Sequence, residues 1–317
     1  MRSAAASPPG LTQLQPAAQR AQLGRQAFLW ACALDVQVRK PGNVSRASPG
    51  HRMHAGQFIA SAAAAAGPIS STGAPVGRRI QAAVQAAWEA TRCNTNLGIV
   101  LLCAPLLAAF EQCAAGVDGL RPALEAILQS LDLDDARAAY AAIALASPGG
   151  LGRAPDQDVA LAPTVGLREA MGLAAHRDRI AWQYLHAFAD VFERGLPVFQ
   201  AARGAATARG LSADAAPGRA MQAVFLEFLA VLPDSHIVRK HGDALAHCVM
   251  QEALAWRTRA RQGESLDDDP AFAAWDEDLK TRGLNPGTSA DLCVAVALAA
   301  ALHEPQLLPD GLRVFTE

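Results

Sequence analysis

Five short stretches of this chain collect side chains that can do chemistry, and each lies at a turn or helix end beside strongly apolar sequence. Lys40-Pro41-Gly42-Asn43 runs on through Arg46 to His51, Arg52 and His54. Lys and Arg offer charge-assisted donors to phosphate oxygens, and a bent Pro-Gly-Asn backbone beside a helix N-terminus would add N–H groups. The same residues also read as a solvated basic loop. Asn94-Thr95-Asn96 carries amides and a hydroxyl that suit a ribose or a phosphate, or that simply cap a helix. Asp234-Ser235-His236-Ile237-Val238-Arg239-Lys240-His241 sets five ionisable groups directly after a very apolar run. On a helical path His236 shares a face with Arg239 and Lys240, so acid and base can line one wall. Asn285-Pro286-Gly287-Thr288-Ser289-Ala290-Asp291 opens the last helix and fits a capping box with Asp in the acidic position. Arg177-Asp178-Arg179 reads either as a surface salt-bridge patch or as a magnesium-binding or basic carboxylate between phosphate-binding arginines.

The elements that must position these groups are helices. Of 317 residues, 51% are apolar but only 5% aromatic, so the core is built from Ala, Leu and Val, which favour helix over strand. The expected fold is all-α: a flexible lead-in over 1–25, then a single multi-helix domain over 26–317 with a polar pocket at helix ends. Helices are expected at 26–36, at 55–67 with its end at Gly67-Pro68, at 79–92, and through the apolar run 97–110. Further helices are expected near 119–130 and 133–146, then one long helix over 166–194 and a linker over 202–217. The chain closes with helices at 220–232, through about 262, at 270–282 and after Asp291.

With 28 Lys+Arg against 30 Asp+Glu, the net charge of -2 gives no field for nucleic acid or an anionic membrane. The longest apolar run, 97–110, is shorter than the roughly 20 residues that span a bilayer. With no secretory signal and six cysteines lacking a C-x-x-C pair, the expected location is cytoplasmic and the thiols are expected to be reduced and mostly packed in the core. The His and Cys spacing does not support zinc, and no Walker-type or dinucleotide glycine motif is present. Any nucleotide would bind in an uncommon helical scaffold. Self-association into a homo-oligomer stays open.

Taken in order, Lys40-Pro41-Gly42-Asn43-Val44, Ala90-Thr91 with Asn94-Thr95 and Gly98, Asp234 to Gly242, and Asn285-Pro286-Gly287 with Ser289-Ala290-Asp291 resemble the triphosphoribosyl-dephospho-CoA synthase family. The resemblance spans residues 30 to 300. It implies an all-α enzyme in which the 2′-hydroxyl of dephospho-CoA attacks C1′ of the ATP ribose and adenine leaves. It also implies Mg²⁺ with the ATP, and two substrates, ATP and a small cofactor precursor such as dephospho-CoA.

Mapped onto this chain, the resemblance implies catalytic roles for Asp234, His236 and Asp178. Lys40, Asn43, Arg46, Asn94, Thr95, Asn96, Arg177, Arg239, Lys240, Asn285 and Ser289 would bind nucleotide or phosphate. Asp178, Asp234 and Asp291 would hold the metal. Where better-known members read Asn-Thr-His-Lys-Gly, this chain has Asn94-Thr95-Asn96-Leu97-Gly98, and Pro49-Gly50-His51-Arg52-Met53-His54 lacks an Asp found elsewhere. That wording is more similar to a divergent branch in archaea and in bacteria with pterin-dependent one-carbon chemistry. Two alternatives follow: an enzyme of methanopterin-like or furan-type cofactor biosynthesis with another acceptor, or a non-catalytic binder of phospho-ligands.

Overall fold

Two helices of this chain are apolar on every side, and the fold is arranged around them. The computed structural model describes residues 17–113, 119–148, 152 and 156–309. Among these, the ordered elements are helices, apart from one isolated bridge between Gly50 and Met53. They are α1 (Ala17–Gln37), α2 (Ala55–Ile69), α3 (Val76–Thr91), α4 (Leu97–Gln112), α5 (Leu120–Ser130), α6 (Leu133–Ala146) and α7 (Leu167–Ala174). There follow α8 (Arg179–Leu185), α9 (Leu196–Ala208), α10 (Ala216–Val231), α11 (Ser235–His241), α12 (Asp243–Arg261), α13 (Pro270–Thr281) and α14 (Gly287–His303).

In α14 every residue from Leu292 to Leu302 is buried, and in α4 so is every residue from Ile99 to Ala109. A helix without a polar face has to sit inside others, and α14 is packed among α1, α4, α9 and α10. One continuous apolar cluster joins all of these. Because α4 and α14 cross the interior, their N-termini, with unpaired first-turn N–H groups and the positive ends of their dipoles, are held inside the protein.

The all-α expectation stands. The first helix reaches back to Ala17, inside the expected lead-in, whose residues 1–16 lie outside the described part. Helix α2 runs two residues past Gly67: Pro68 sits in its last turn, and Ser70 Oγ donates to Ala66 O at 2.6 Å to satisfy a terminal carbonyl. The expected linker over 202–217 is largely the end of α9 and the start of α10.

The long helix expected over 166–194 is broken twice. Asp178 Oδ1 accepts the N–H groups of Ile180 and Ala181 at 2.9 and 3.1 Å, which starts a new helix at α8. Ala187 and Phe188 then take left-handed φ of 47° and 55°, ending α8 before a π-helical turn over Asp190–Gly195 leads into α9. Apolar periodicity continues through both breaks because residues on either side still face the core, so the pattern alone does not reveal them.

Candidate active site

The turn at Lys40–Asn43 is bent by Gly42, with φ of +80°. A side chain there would meet Leu284 O at 2.7 Å and Pro286 Cδ at 2.8 Å, so only glycine lets this turn lie against the stretch before α14. The two stretches are then tied together: Asn43 Nδ2 donates to Asn285 Oδ1 at 2.9 Å, and Lys40 Nζ donates to Asn43 Oδ1 at 2.8 Å. Lys40 is fully buried and pairs with Asp35 at 2.7 Å. Burial holds Asp35 above the usual carboxylate range even though the Lys40 ammonium pulls the other way.

Asp234 is spent in the same manner. Its Oδ1 accepts from the His236 and Ile237 N–H groups, capping α11, while its Oδ2 accepts from the Ser289 N–H and hydroxyl, both at 2.8 Å. The capping box read at Thr288–Asp291 is therefore replaced by a cap from another helix. Asp291 is left with no hydrogen bond or ion pair among the described residues, and its carboxylate faces Gly98 at the start of α4. A side chain at Gly98 would lie 2.0 Å from Asp291 Oδ2. Burial pushes the Asp291 carboxyl well above its usual range, reinforced by Asp35, Asp234 and Asp178 and opposed by Lys40.

Further links close the ring. Ser235 Oγ lies 3.0 Å from Thr288 Oγ1 and accepts from the Arg179 N–H at 3.2 Å, and Arg239 reaches Asp178 Oδ2 at 3.3 Å. Thr95 hydrogen-bonds Ser61, and Asn94 Oδ1 caps α4 through the Leu97 N–H at 3.2 Å. Asn96 sits at the N-cap position without capping, and its buried Nδ2 has no hydrogen-bond partner. His236, packed on Gly287, likewise has a buried Nε2 without a partner. Desolvation, with Lys240, Arg239, His51 and His241 nearby, pushes its pKa down to about 3, so the ring is neutral at ordinary pH.

These contacts enclose a cavity of about 550 Å³. Asn43, Asn94, Thr95, Asn96, Arg177, Asp178, His236, Arg239, Lys240, Asn285 and Asp291 all line it. Lys40, Asp234 and Ser289 stand behind the lining as supports. Arg46 is exposed and is not among the lining residues, because the turn points it to solvent. Arg179 does not line it either: it pairs with Asp190 at 2.6 and 2.9 Å and stacks on Trp182. Asp35, His51 and Thr288 line the cavity but were missed as candidates or left without a role. Asp35 had a legible signal, a lone carboxylate within the apolar AFLWACALDV. Among the described residues no three His, Cys, Asp or Glu side chains gather as a metal set.

Fold and site together define an all-α protein with a polar cavity at the buried N-termini of its two central helices. A family model described as CitG, ATP:dephospho-CoA triphosphoribosyl transferase, matches residues 21–309. The chain belongs to that family and is a transferase of the ATP-derived triphosphoribosyl group. A solved structure from Archaeoglobus fulgidus, described as a triphosphoribosyl-dephospho-CoA synthase, aligns with a TM-score of 0.57. It is 22% identical and covers 78% of this chain and 98% of its own, a likeness that establishes the fold. No curated protein matches the sequence. No single helix among the described residues is long and apolar enough to cross a membrane.

Proposed function

We propose that the cavity binds ATP with its triphosphate toward the N-termini of α4 and α14, and that dephospho-CoA is the acceptor. The observation that carries this reading is the convergence of stretches from Asn43 to Asp291 on one cavity. Its volume lies within the roughly 300–1,000 Å³ usual for small-molecule sites. Arg177, Arg239 and Lys240 bring positive charge to the phosphates, and Asn96 Nδ2 and His236 Nε2 are buried polar atoms that a nucleotide would satisfy.

In the reaction the acceptor hydroxyl oxygen bonds to C1′ of the ATP ribose while the bond from C1′ to adenine breaks. Asp291 is the carboxylate we assign to take the hydroxyl proton, since it has no internal partner and its raised pKa makes it a stronger base than an ordinary carboxylate. His236 stays neutral and serves as a hydrogen-bonding group, not a charge. Asp234, with all its acceptors used, positions α11 against α14. Magnesium fits as a cation shared between protein and phosphates: Asp178 Oδ2 faces the cavity, and Mg²⁺ usually takes only one or two carboxylates beside phosphate. When bound it would neutralise phosphate charge. The six free cysteines suit a reducing compartment, and we place the reaction in the cytoplasm.

Purified protein incubated with ATP, Mg²⁺ and dephospho-CoA is expected to release one adenine per acceptor consumed. Adenine release with another acceptor only would keep the chemistry and reject dephospho-CoA. No adenine with any acceptor, despite tight ATP binding, would overturn the reading in favour of a phospho-ligand binder.

A further inference from the structure

The cavity is chemically two-sided. The end just described is polar and lies on the central helices. The other end is walled by α2, α6, α7 and residues 156–159, which contribute Phe58, Tyr140, Ile143, Val159, Met171 and Leu173. Among the described residues these elements bring no Lys or Arg to the cavity; their charged groups there are the carboxylates Asp156 and Asp158. An anionic group is repelled at this end, and an uncharged one is not.

This wall is built and anchored. The Tyr140 hydroxyl donates to Gln157 O at 2.7 Å, and Gln157 closes a ring with Thr164 through bonds of 2.7 and 3.0 Å. It also leaves apolar surface in water. Leu173 is 48% exposed, and Leu185, which lies against Gly172 of α7, is 43% exposed. Exposed large apolar side chains grouped at a cavity mouth mark a surface that a ligand covers.

We infer that this apolar end seats the uncharged tail of the acceptor, so that acceptor choice is made by burial of an amide-bearing, largely apolar chain and not by charge. The inference rests on the transferase reading. Dephospho-CoA has the matching polarity: a nucleoside diphosphate carrying the attacking hydroxyl, then a long neutral pantetheine arm. With the nucleoside at the polar end, the arm is directed along α6 and α7.

The test compares dephospho-CoA with ADP, the same nucleotide without the arm, as acceptors for wild-type protein and for Leu173→Asp, a change at an exposed position that the fold tolerates. Wild type is expected to prefer dephospho-CoA by at least about 30-fold in kcat/KM. Leu173→Asp is expected to lower that value about tenfold with dephospho-CoA and less than threefold with ADP. Equal use of the two acceptors by wild type, or equal losses in the variant, would overturn the inference. If neither acceptor releases adenine, the transferase reading itself has failed. Calorimetric titration of dephospho-CoA and ADP into both proteins then reads the wall alone, with loss of discrimination in the variant supporting it and unchanged discrimination overturning it.

Discussion

Gly98→Ala is the perturbation whose consequence can be worked out most directly. A methyl group at this position would lie 2.0 Å from Asp291 Oδ2, 2.6 Å from its Cγ and 2.7 Å from Ile180 Cδ1. Cβ contacts below 3.0 Å are essentially absent from real proteins, so the carboxylate has to retreat by about 1 Å. As a helix residue Ala is favoured over Gly by about 1 kcal/mol, which offsets part of the strain and keeps the protein folded. A misplacement of about 1 Å at a reacting group is enough to lower the rate on the order of 100-fold. We therefore expect kcat for adenine release to fall about 100-fold, while the ATP KM and the melting temperature, read by circular dichroism, change little. Adding Asp291→Asn to the variant should cost little more, because both changes remove the same group. A Gly98→Ala enzyme with kcat within about threefold of wild type would refute the assignment of Asp291 at the α4 N-terminus.

Other expectations concern the supports. Asp234→Asn keeps one oxygen but removes the acceptor for Ser289, so stability should drop by about 1–3 kcal/mol in a denaturant melt; unchanged stability with lost activity would instead place Asp234 in the chemistry. Lys40→Met strands the buried Asp35 charge and should cost about 3–5 kcal/mol by urea titration, much of it recovered when Asp35→Leu is added. Folded His236 binds its proton only near pH 3, whereas an unfolded imidazole does so near 6.5. The unfolded state holds more protons between these values, so stability rises with pH across that window. His236→Asn should flatten the slope of stability between pH 4 and 6.5, and an unchanged slope would contradict a buried neutral ring.

The site was legible in sequence to the extent that turn residues and apolar helices announce themselves. The stretches at 40–43, 94–96, 234–241 and 285–291 stood out because small or charged residues adjoin helices that have no polar face, and such helices must converge in the interior. What each side chain does was not legible. Lys40 and Asp234 look like phosphate or metal groups, yet their partners, Asp35 and Ser289, are set by tertiary contacts that no local pattern encodes. The two breaks within 166–194 were hidden because Asp178 serves at once as helix cap and cavity residue, and because left-handed backbone at Ala187 and Phe188 has no signature in residue type.

The account turns on five stretches gathering around one nucleotide, and a crystal structure with ATP and Mg²⁺ tests this most directly. It should show the triphosphate between the N-termini of α4 and α14, within reach of Asn96, Arg177, Arg239 and Asp178, with the ribose C1′ beside Asp291. Nucleotide bound elsewhere on the molecule, with this cavity empty, would contradict it.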